Sequence, residues 1–377
     1  MTLFLAGFFF VYSLVHLFVF LRARSALALG LGAALPLAFF MMTMIVTPIV
    51  IRLSEHAGWA PFARFMAYVG YTWMGLLFLF ICALITTDVY RLVIYLVSSI
   101  AGRSLSLPAA SAKSCFLFAI ALVLVIGVYG WFEARSIRTE KVTVKTSRLP
   151  AHASPLRIVQ ISDVHLGLIV REDRLKRIME HVKNAEPDVF VSTGDLVDGQ
   201  MNDLTGLVQL FQSVNPRYGK FAITGNHEFY AGLSQALDFT KAAGFRVLRG
   251  EAVTVGDVIN IVGVDDPSGP GYGSSSKGEK EVLSKVSKGK FTLFLKHRPV
   301  VDPESSGLFD LQLSGHAHNG QIFPFRLITR LFYPCVAGLF PLSPHSSLYV
   351  SRGTGTWGPP IRFLAPPEVT IIELVRP

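Results

Sequence analysis

Ten side chains in this sequence are of types and spacings that can do chemistry: Asp163, His165, Asp195, Asp198, Asn226, His227, Glu228, His297, His316 and His318. They fall into five short groups: Asp163-Val-His165, Gly194-Asp-Leu-Val-Asp198, Gly225-Asn-His-Glu228, His297 after Lys296, and Gly315-His-Ala-His318. Carboxylate and amide oxygens with imidazole nitrogens form a donor set for divalent cations. Taken singly, each group says little, because Asp-x-His is frequent and a lone His on a turn is usually a surface residue. The five together, in this order and each after an apolar run, form a metal-binding pattern.

The residues before each group indicate how the backbone carries them to one place. Ile158, Val159 and Ile161 precede Asp163, and Val189, Phe190 and Val191 precede Asp195. Phe221 and Ile223 precede Asn226, Phe291 to Leu295 precedes His297, and Leu311 and Leu313 precede His316. Short apolar runs ending in polar turns predict buried strands that deliver ligands at their carboxyl ends. Arg171–Asn184 carries Leu175, Ile178, Met179 and Val182 at helical spacing, and Leu204–Val214 and Gly232–Ala243 read similarly. Beyond Phe245 the pattern turns to strands, at Phe245–Leu248, Ala252–Val255, Val258–Val264, Leu348–Ser351 and Val369–Leu374. A βαβαβ first half and a strand-rich second half predict an α/β sandwich of two packed mixed sheets flanked by helices, over residues 156–377. Residues 135–155 read as a charged, Pro-bounded linker with an edge strand at Lys141–Lys145, and Asp265–Gly278 as a loop.

The rest of the chain is of a different kind. Its mean hydropathy is +0.46 over 377 residues, and the uncharged stretches Thr2–Leu21, Ala26–Ile51, Phe65–Thr87 and Ser114–Phe132 are each long enough to cross a bilayer. Residues 1–134 are therefore expected to form a four-span module, with Asp88–Ile100 either continuing the third helix or lying on the surface. Of the net charge of +9, residues 1–150 hold +8 and residues 151–377 hold +1. The excess lies between apolar segments, where basic residues set topology, so the expected partner is a bilayer and not nucleic acid. Arg22 and Arg24, after an uncharged first span, place the C-terminal domain outside the cytoplasm. The loops as a whole do not reinforce this, with five basic residues on the far side and seven on the near side. Cys82, Cys115 and Cys335 support neither a disulfide framework nor a thiolate metal site.

From Arg157 onward the chain resembles the calcineurin-like metallophosphoesterases, and within them the bacterial branch that joins this domain to membrane segments or export signals. Ser162-Asp-Val-His165, Thr193-Gly-Asp-Leu-Val-Asp198 and Gly225-Asn-His-Glu228 match the family's motifs as they stand. Gly315-His-Ala-His-Asn-Gly320 departs at Ala317 and Asn319, where Thr and Gly are usual and neither is a ligand. The resemblance implies hydrolysis of phosphoester or pyrophosphate bonds by two divalent cations ~3.5–4 Å apart. It implies Asp195 as the bridge, with Asp163, His165 and His318 completing one ion and Asn226, His297 and His316 the other. An oxygen and nitrogen set suits Mn, Fe, Zn or similar ions. His227 would protonate or stabilise the leaving oxygen. Membrane-linked members of the resembling group include hydrolases of UDP-2,3-diacylglucosamine, which implies a lipid-linked phosphorylated substrate at a bacterial inner membrane. An external domain would instead suit a phospholipid headgroup or polyprenyl phosphate. A third reading is a non-catalytic membrane sensor, against which the complete ligand set weighs.

Several residues keep two readings. Asp198 either orients a neighbouring histidine or caps a helix, and Glu228 either supports the site or is solvated. Arg298 pairs with a substrate phosphate or with a surface carboxylate, and His16 is a functional intramembrane group or an interhelical hydrogen bond. Ile322–Leu342, strongly apolar with Arg326 and Arg330 four residues apart, either binds lipid at the mouth of the site or packs on the sheet edge.

Overall fold

The computed structural model describes residues 2–102, 111–199, 204–268 and 278–377. Residues 269–277 of the expected loop and 103–110 of the turn before the last span lie outside them. The chain divides into two compact units, Met1–Trp131 and Phe132–Pro377.

The first unit holds helices α1 (Thr2–Ala26), α2 (Leu31–His56), α3 (Ala60–Ala101) and most of α4 (Ala112–Glu133). All four are long and apolar enough to cross a membrane. Asp88–Ile100 continues α3, whose 42 residues exceed what a bilayer core requires. Arg22 of α1 pairs with Asp88 of α3. His16 is buried: Trp73 Nε1 donates to its Nε2 at 2.9 Å, and its Nδ1 lies 2.8 Å from the Tyr12 carbonyl oxygen. That is the interhelical hydrogen bond of the two readings.

The second unit runs β1 (Arg138–Lys145), β2 (Leu156–Ile161), α5 (Glu172–Asn184), β3 (Val189–Ser192), α6 (Val208–Gln212) and β4 (Lys220–Ala222). It continues with α7 (Asn226–Ala231), α8 (Leu233–Ala242), β5 (Arg246–Val247), β6 (Glu251–Val255), β7 (Ile259–Gly263) and α9 (Glu279–Ser284). It ends with β8 (Phe291–Leu295), β9 (Leu311–Ser314), α10 (Phe325–Phe332), β10 (Gly338–Ser343), β11 (Ser346–Val350) and β12 (Glu368–Val375). One six-stranded sheet has the order β1-β12-β2-β3-β4-β5 and the other β10-β11-β9-β8-β7-β6. In the first, the antiparallel pairing of β12 with β2 joins the parallel pair β1-β12 to the parallel run β2-β3-β4-β5. In the second, the parallel run β11-β9-β8-β7 is flanked by the antiparallel pairs β10-β11 and β6-β7, so both sheets are mixed as expected.

Alternation along each strand sorts its side chains between two cores. Ile158 and Val191 pack with Leu293, Leu311 and Tyr349 between the sheets. Their neighbours Val159 and Phe190 pack under Leu175, Ile178 and Val182 of α5 on the outer face. Fully burying each such side chain is worth roughly 1.5–3 kcal/mol. The expected edge strand is longer than Lys141–Lys145: all eight residues of β1 pair with β12, from Arg138↔Glu368 to Lys145↔Val375. The apolar stretch after Gln321 separates its two readings. Gly338–Ser343 is the edge strand of the second sheet, and Phe325–Phe332 is an exposed helix.

Candidate metal centre

The turns after β2, β3, β4, β8 and β9 bring the five groups together, as ligands collect at the carboxyl ends of parallel strands. These turns are strained. Asp163 (φ 52°), His165 (φ 53°), Asp195 (φ 50°), His316 (φ 67°) and His318 (φ 47°) all occupy the left-handed region. Each costs of order 1–3 kcal/mol relative to relaxed backbone and persists because the surroundings over-determine it. Two glycines permit the close approach. A Cβ on Gly225 would stand 2.2 Å from Asp195 Oδ1, and one on Gly315 would stand 2.1 Å from Asp163 Oδ2.

The donors form two clusters joined through Asp195. In the first, His318 Nε2 lies 3.3 Å from Asp163 Oδ1 and 3.1 Å from His165 Nε2. In the second, His297 Nε2 lies 3.3 Å from Asp195 Oδ2 and 3.1 Å from His316 Nδ1. Asp195 Oδ2 is also 3.8 Å from His165 Nε2. Asp163, His165 and His318 offer ligand atoms within 4.8 Å of one another, as do Asp195, His297 and His316, and also His165, Asp195 and His227. The Asn226 side-chain oxygen is buried with no hydrogen-bond partner. A buried acceptor without a partner is costly, and a cation would satisfy it. Nitrogen and oxygen lone pairs facing one another across such gaps fit divalent metal ions.

Electrostatics separates the histidines. Burial drives His316 down to about 3, reinforced by neighbouring His297. Burial likewise lowers His318 to about 4, against the attraction of Asp163. Neutral imidazole is the form that ligates metal. Burial opposes the charge on His297 and His227 too, but Asp195 and other carboxylates outweigh it and raise both to about 10. A divalent cation taking up those carboxylates would displace the proton from His297. Asp195 is buried, which raises its pKa, yet His297, His227 and His165 hold it well below the carboxylate range.

The remaining motif residues hold these groups in place. His227 Nδ1 lies 3.0 Å from Asp198 Oδ1 and 2.8 Å from the Asp198 carbonyl oxygen, which leaves Nε2 as its outward nitrogen. Asp198 Oδ1 also stands 3.4 Å from His165 Nδ1, so its carboxylate faces both histidines. Glu228 is fully buried. One of its oxygens accepts from Gly225 N (2.6 Å) and Asp195 N (3.0 Å), the other from Leu196 N (2.8 Å) and Val197 N (3.3 Å). The solvated alternative for Glu228 is excluded. Burial and the Asp195 charge raise its pKa, but four N–H donors require an acceptor at both oxygens, and we assign the ionised form. His297 Nδ1 donates to the Thr193 carbonyl oxygen at 2.8 Å, freeing Nε2 for the centre.

Other residues of the site carry no motif. The Tyr333 hydroxyl lies 3.0 Å from His316 Nε2; in the sequence it is only a polar tip within an apolar stretch. Arg362, fully buried, donates to the carbonyls of Arg352, Gly355 and Ala365, and its Nη2 stands 3.2 Å from His318 Nδ1. Nothing local in a Gly/Pro-rich segment announces that role. Arg298 forms a two-pronged pair with buried Asp266 (2.8 and 3.0 Å) and donates to Ser268 Oγ at 2.8 Å. Beside His297, a cleft of about 250 Å³ is lined by Asp265, Asp266, Lys296, Arg298 and Tyr333 among others.

Comparison with known proteins accords with this centre. The family signature for calcineurin-like phosphoesterases matches residues 156–320. An uncharacterized metallophosphoesterase of Aquifex aeolicus is 42% identical over 255 residues, covering 67% of this chain and 97% of that protein. One of Campylobacter jejuni is 34% identical, covering 63% of this chain but 64% of its own length. A transmembrane protein with metallophosphoesterase domain from Danio rerio is 32% identical over 292 residues, covering 72% of this chain and 66% of its own length. With its apolar helices, the chain is thus a membrane protein that belongs to the calcineurin-like metallophosphoesterases, metal-dependent hydrolases of phosphoester bonds.

Proposed function

We propose that the second unit is a two-ion phosphohydrolase acting on the phosphoester or pyrophosphate bond of a lipid-linked substrate at the membrane surface. The carrying observation is that one carboxylate, Asp195, reaches both clusters, at 3.3 Å from His297 and 3.8 Å from His165. Asp163, His165 and His318 would hold one divalent ion and Asn226, His297 and His316 the other, with Asp195 between them. Cations there would neutralise phosphoryl oxygens and lower the pKa of an attacking water.

The chain's own residues do the rest. Asp198 fixes His227 by Nδ1, so that Nε2 is the nitrogen turned to carry a proton toward the leaving oxygen. The rings of Tyr230 and Trp357 lie 5.3 and 5.9 Å from the imidazole, both edge-on to it. The lipid-linked substrate is supported by four apolar helices and by the short connection from the end of α4 at Glu133 to the start of β1 at Arg138. Arg22 and Arg24 favour an external domain, and protease accessibility of the C-terminal unit in sealed vesicles of each orientation tests the side.

The central test is Asp195→Asn, which removes the bridging charge and nearly keeps the shape. Metal content by mass spectrometry should fall, and hydrolysis of bis(p-nitrophenyl) phosphate should drop by several orders of magnitude. Near-normal turnover with full metal content would remove Asp195 from the bridge and end the two-ion reading.

A further inference from the structure

Among the described helices of the second unit, α10 alone has no buried residue. Its sequence, Phe-Arg-Leu-Ile-Thr-Arg-Leu-Phe, divides by side at helical spacing. Phe325, Leu327, Ile328, Leu331 and Phe332 fall on one side, and Arg326, Thr329 and Arg330 on the other. Leu331 is 80% exposed and Phe332 73% exposed. Eight residues do not hold a helix in water by propensity, so tertiary ties must fix this one.

Those ties lead to the metal centre. At its start, α10 lies so close to Gly320 that a Cβ there would stand 2.3 Å from Arg326 N. At its end, Tyr333 N donates to the Thr329 carbonyl oxygen at 2.9 Å, and the Tyr333 hydroxyl reaches His316 Nε2. The apolar face is therefore held outward in a fixed register with the turn that carries His316 and His318.

We propose that this face inserts into the headgroup–acyl boundary of an anionic bilayer, setting the mouth of the site at headgroup level. An apolar stripe flanked by Arg, without an acidic residue on the helix, is the pattern of helices that lie in the plane of a membrane. The charge favours anionic headgroups. The chain supplies the bilayer itself, since its last apolar helix ends at Glu133 and β1 begins at Arg138. The proposal deepens the lipid-linked reading above and rests on it for its purpose, but docking is measured without turnover.

The test uses the full chain in nanodiscs of phosphatidylcholine, with or without about one third phosphatidylglycerol. Leu331 is replaced by the photoreactive p-benzoylphenylalanine, and in a control the exposed Lys288 is replaced instead. Light should attach phospholipid at position 331 and not at 288, with several-fold more adduct when phosphatidylglycerol is present, a preference that Arg330→Gln should abolish. Adducts to a second copy or to α1–α4, or no lipid adduct, overturn the docking. A lipid adduct indifferent to phosphatidylglycerol and to Arg330→Gln overturns its anionic character. Bis(p-nitrophenyl) phosphate hydrolysis is followed alongside: its loss in the unsubstituted protein counts against the metal reading, while the adduct still decides the docking.

Discussion

Replacing Glu228 by Gln tests whether the metal-bearing turns are held from behind by this carboxylate. In the native protein each carboxylate oxygen accepts two backbone N–H groups, from Gly225 and Asp195 on one and from Leu196 and Val197 on the other. Gln keeps one oxygen and turns an NH2 toward the other two donors, while the negative charge disappears. Hydrogen bonds to a charged group are worth about 1.5–3 kcal/mol each, so losing two costs roughly 3–6 kcal/mol locally. A domain of ordinary stability has only about 5–15 kcal/mol in total. The affected backbone includes Asp195 in its left-handed conformation, which has no reason to stay there once its anchor is gone. Hydrogen exchange on the full chain in nanodiscs should show the amides of Asp195, Leu196, Val197 and Gly225 exchanging about 10²–10⁴-fold faster, at 1.4 kcal/mol per decade. Bound metal should fall in parallel. Unchanged exchange at these four amides with full metal content would refute the reasoning, because no route would then remain from Glu228 to the site.

Three further perturbations separate chemistry, ligand support and folding. His227→Ala should keep its metal and lose about 10²–10⁴ in kcat, less for good leaving groups; equal losses across leaving groups would deny His227 the acid role. Tyr333→Phe removes the hydroxyl beside His316 Nε2 and should weaken metal affinity about 10–100-fold with little change in melting temperature, as equilibrium dialysis can show. For Asp266, burial raises the pKa but Arg298 lowers it further, so its folded pKa lies below the unfolded value of about 3.9. The pair's stabilisation is therefore present above that value and lost as pH falls through the folded pKa. The melting-temperature difference between the native protein and Asp266→Asn should shrink on going from pH about 6 to pH about 3; a constant difference would mean that ionisation of Asp266 is irrelevant.

What the sequence determined by itself is what leaves a local imprint. Apolar runs of strand length ending in Asp, Asn and His located the five turns, because burial of a strand and delivery of a ligand are encoded within a few adjacent residues. The four apolar helices were legible for the same reason, since a bilayer selects on composition along one segment. The register of β1 against β12 was not, because it joins residues more than two hundred positions apart and no periodicity records the partner. Nor were the left-handed backbones of Asp163, His165, Asp195, His316 and His318, which nothing in their residue types requires. Only the assembled sheets, with Glu228 gripping four amides and glycines yielding space, make that strain the lowest available state. Tyr333 and Arg362 reach His316 and His318 from an apolar stretch and from a Gly/Pro-rich segment in which neither residue belongs to a motif. The sequence names the donors because chemistry restricts residue type; tertiary structure alone decides their distances, protonation and supports, because these depend on neighbours distant along the chain.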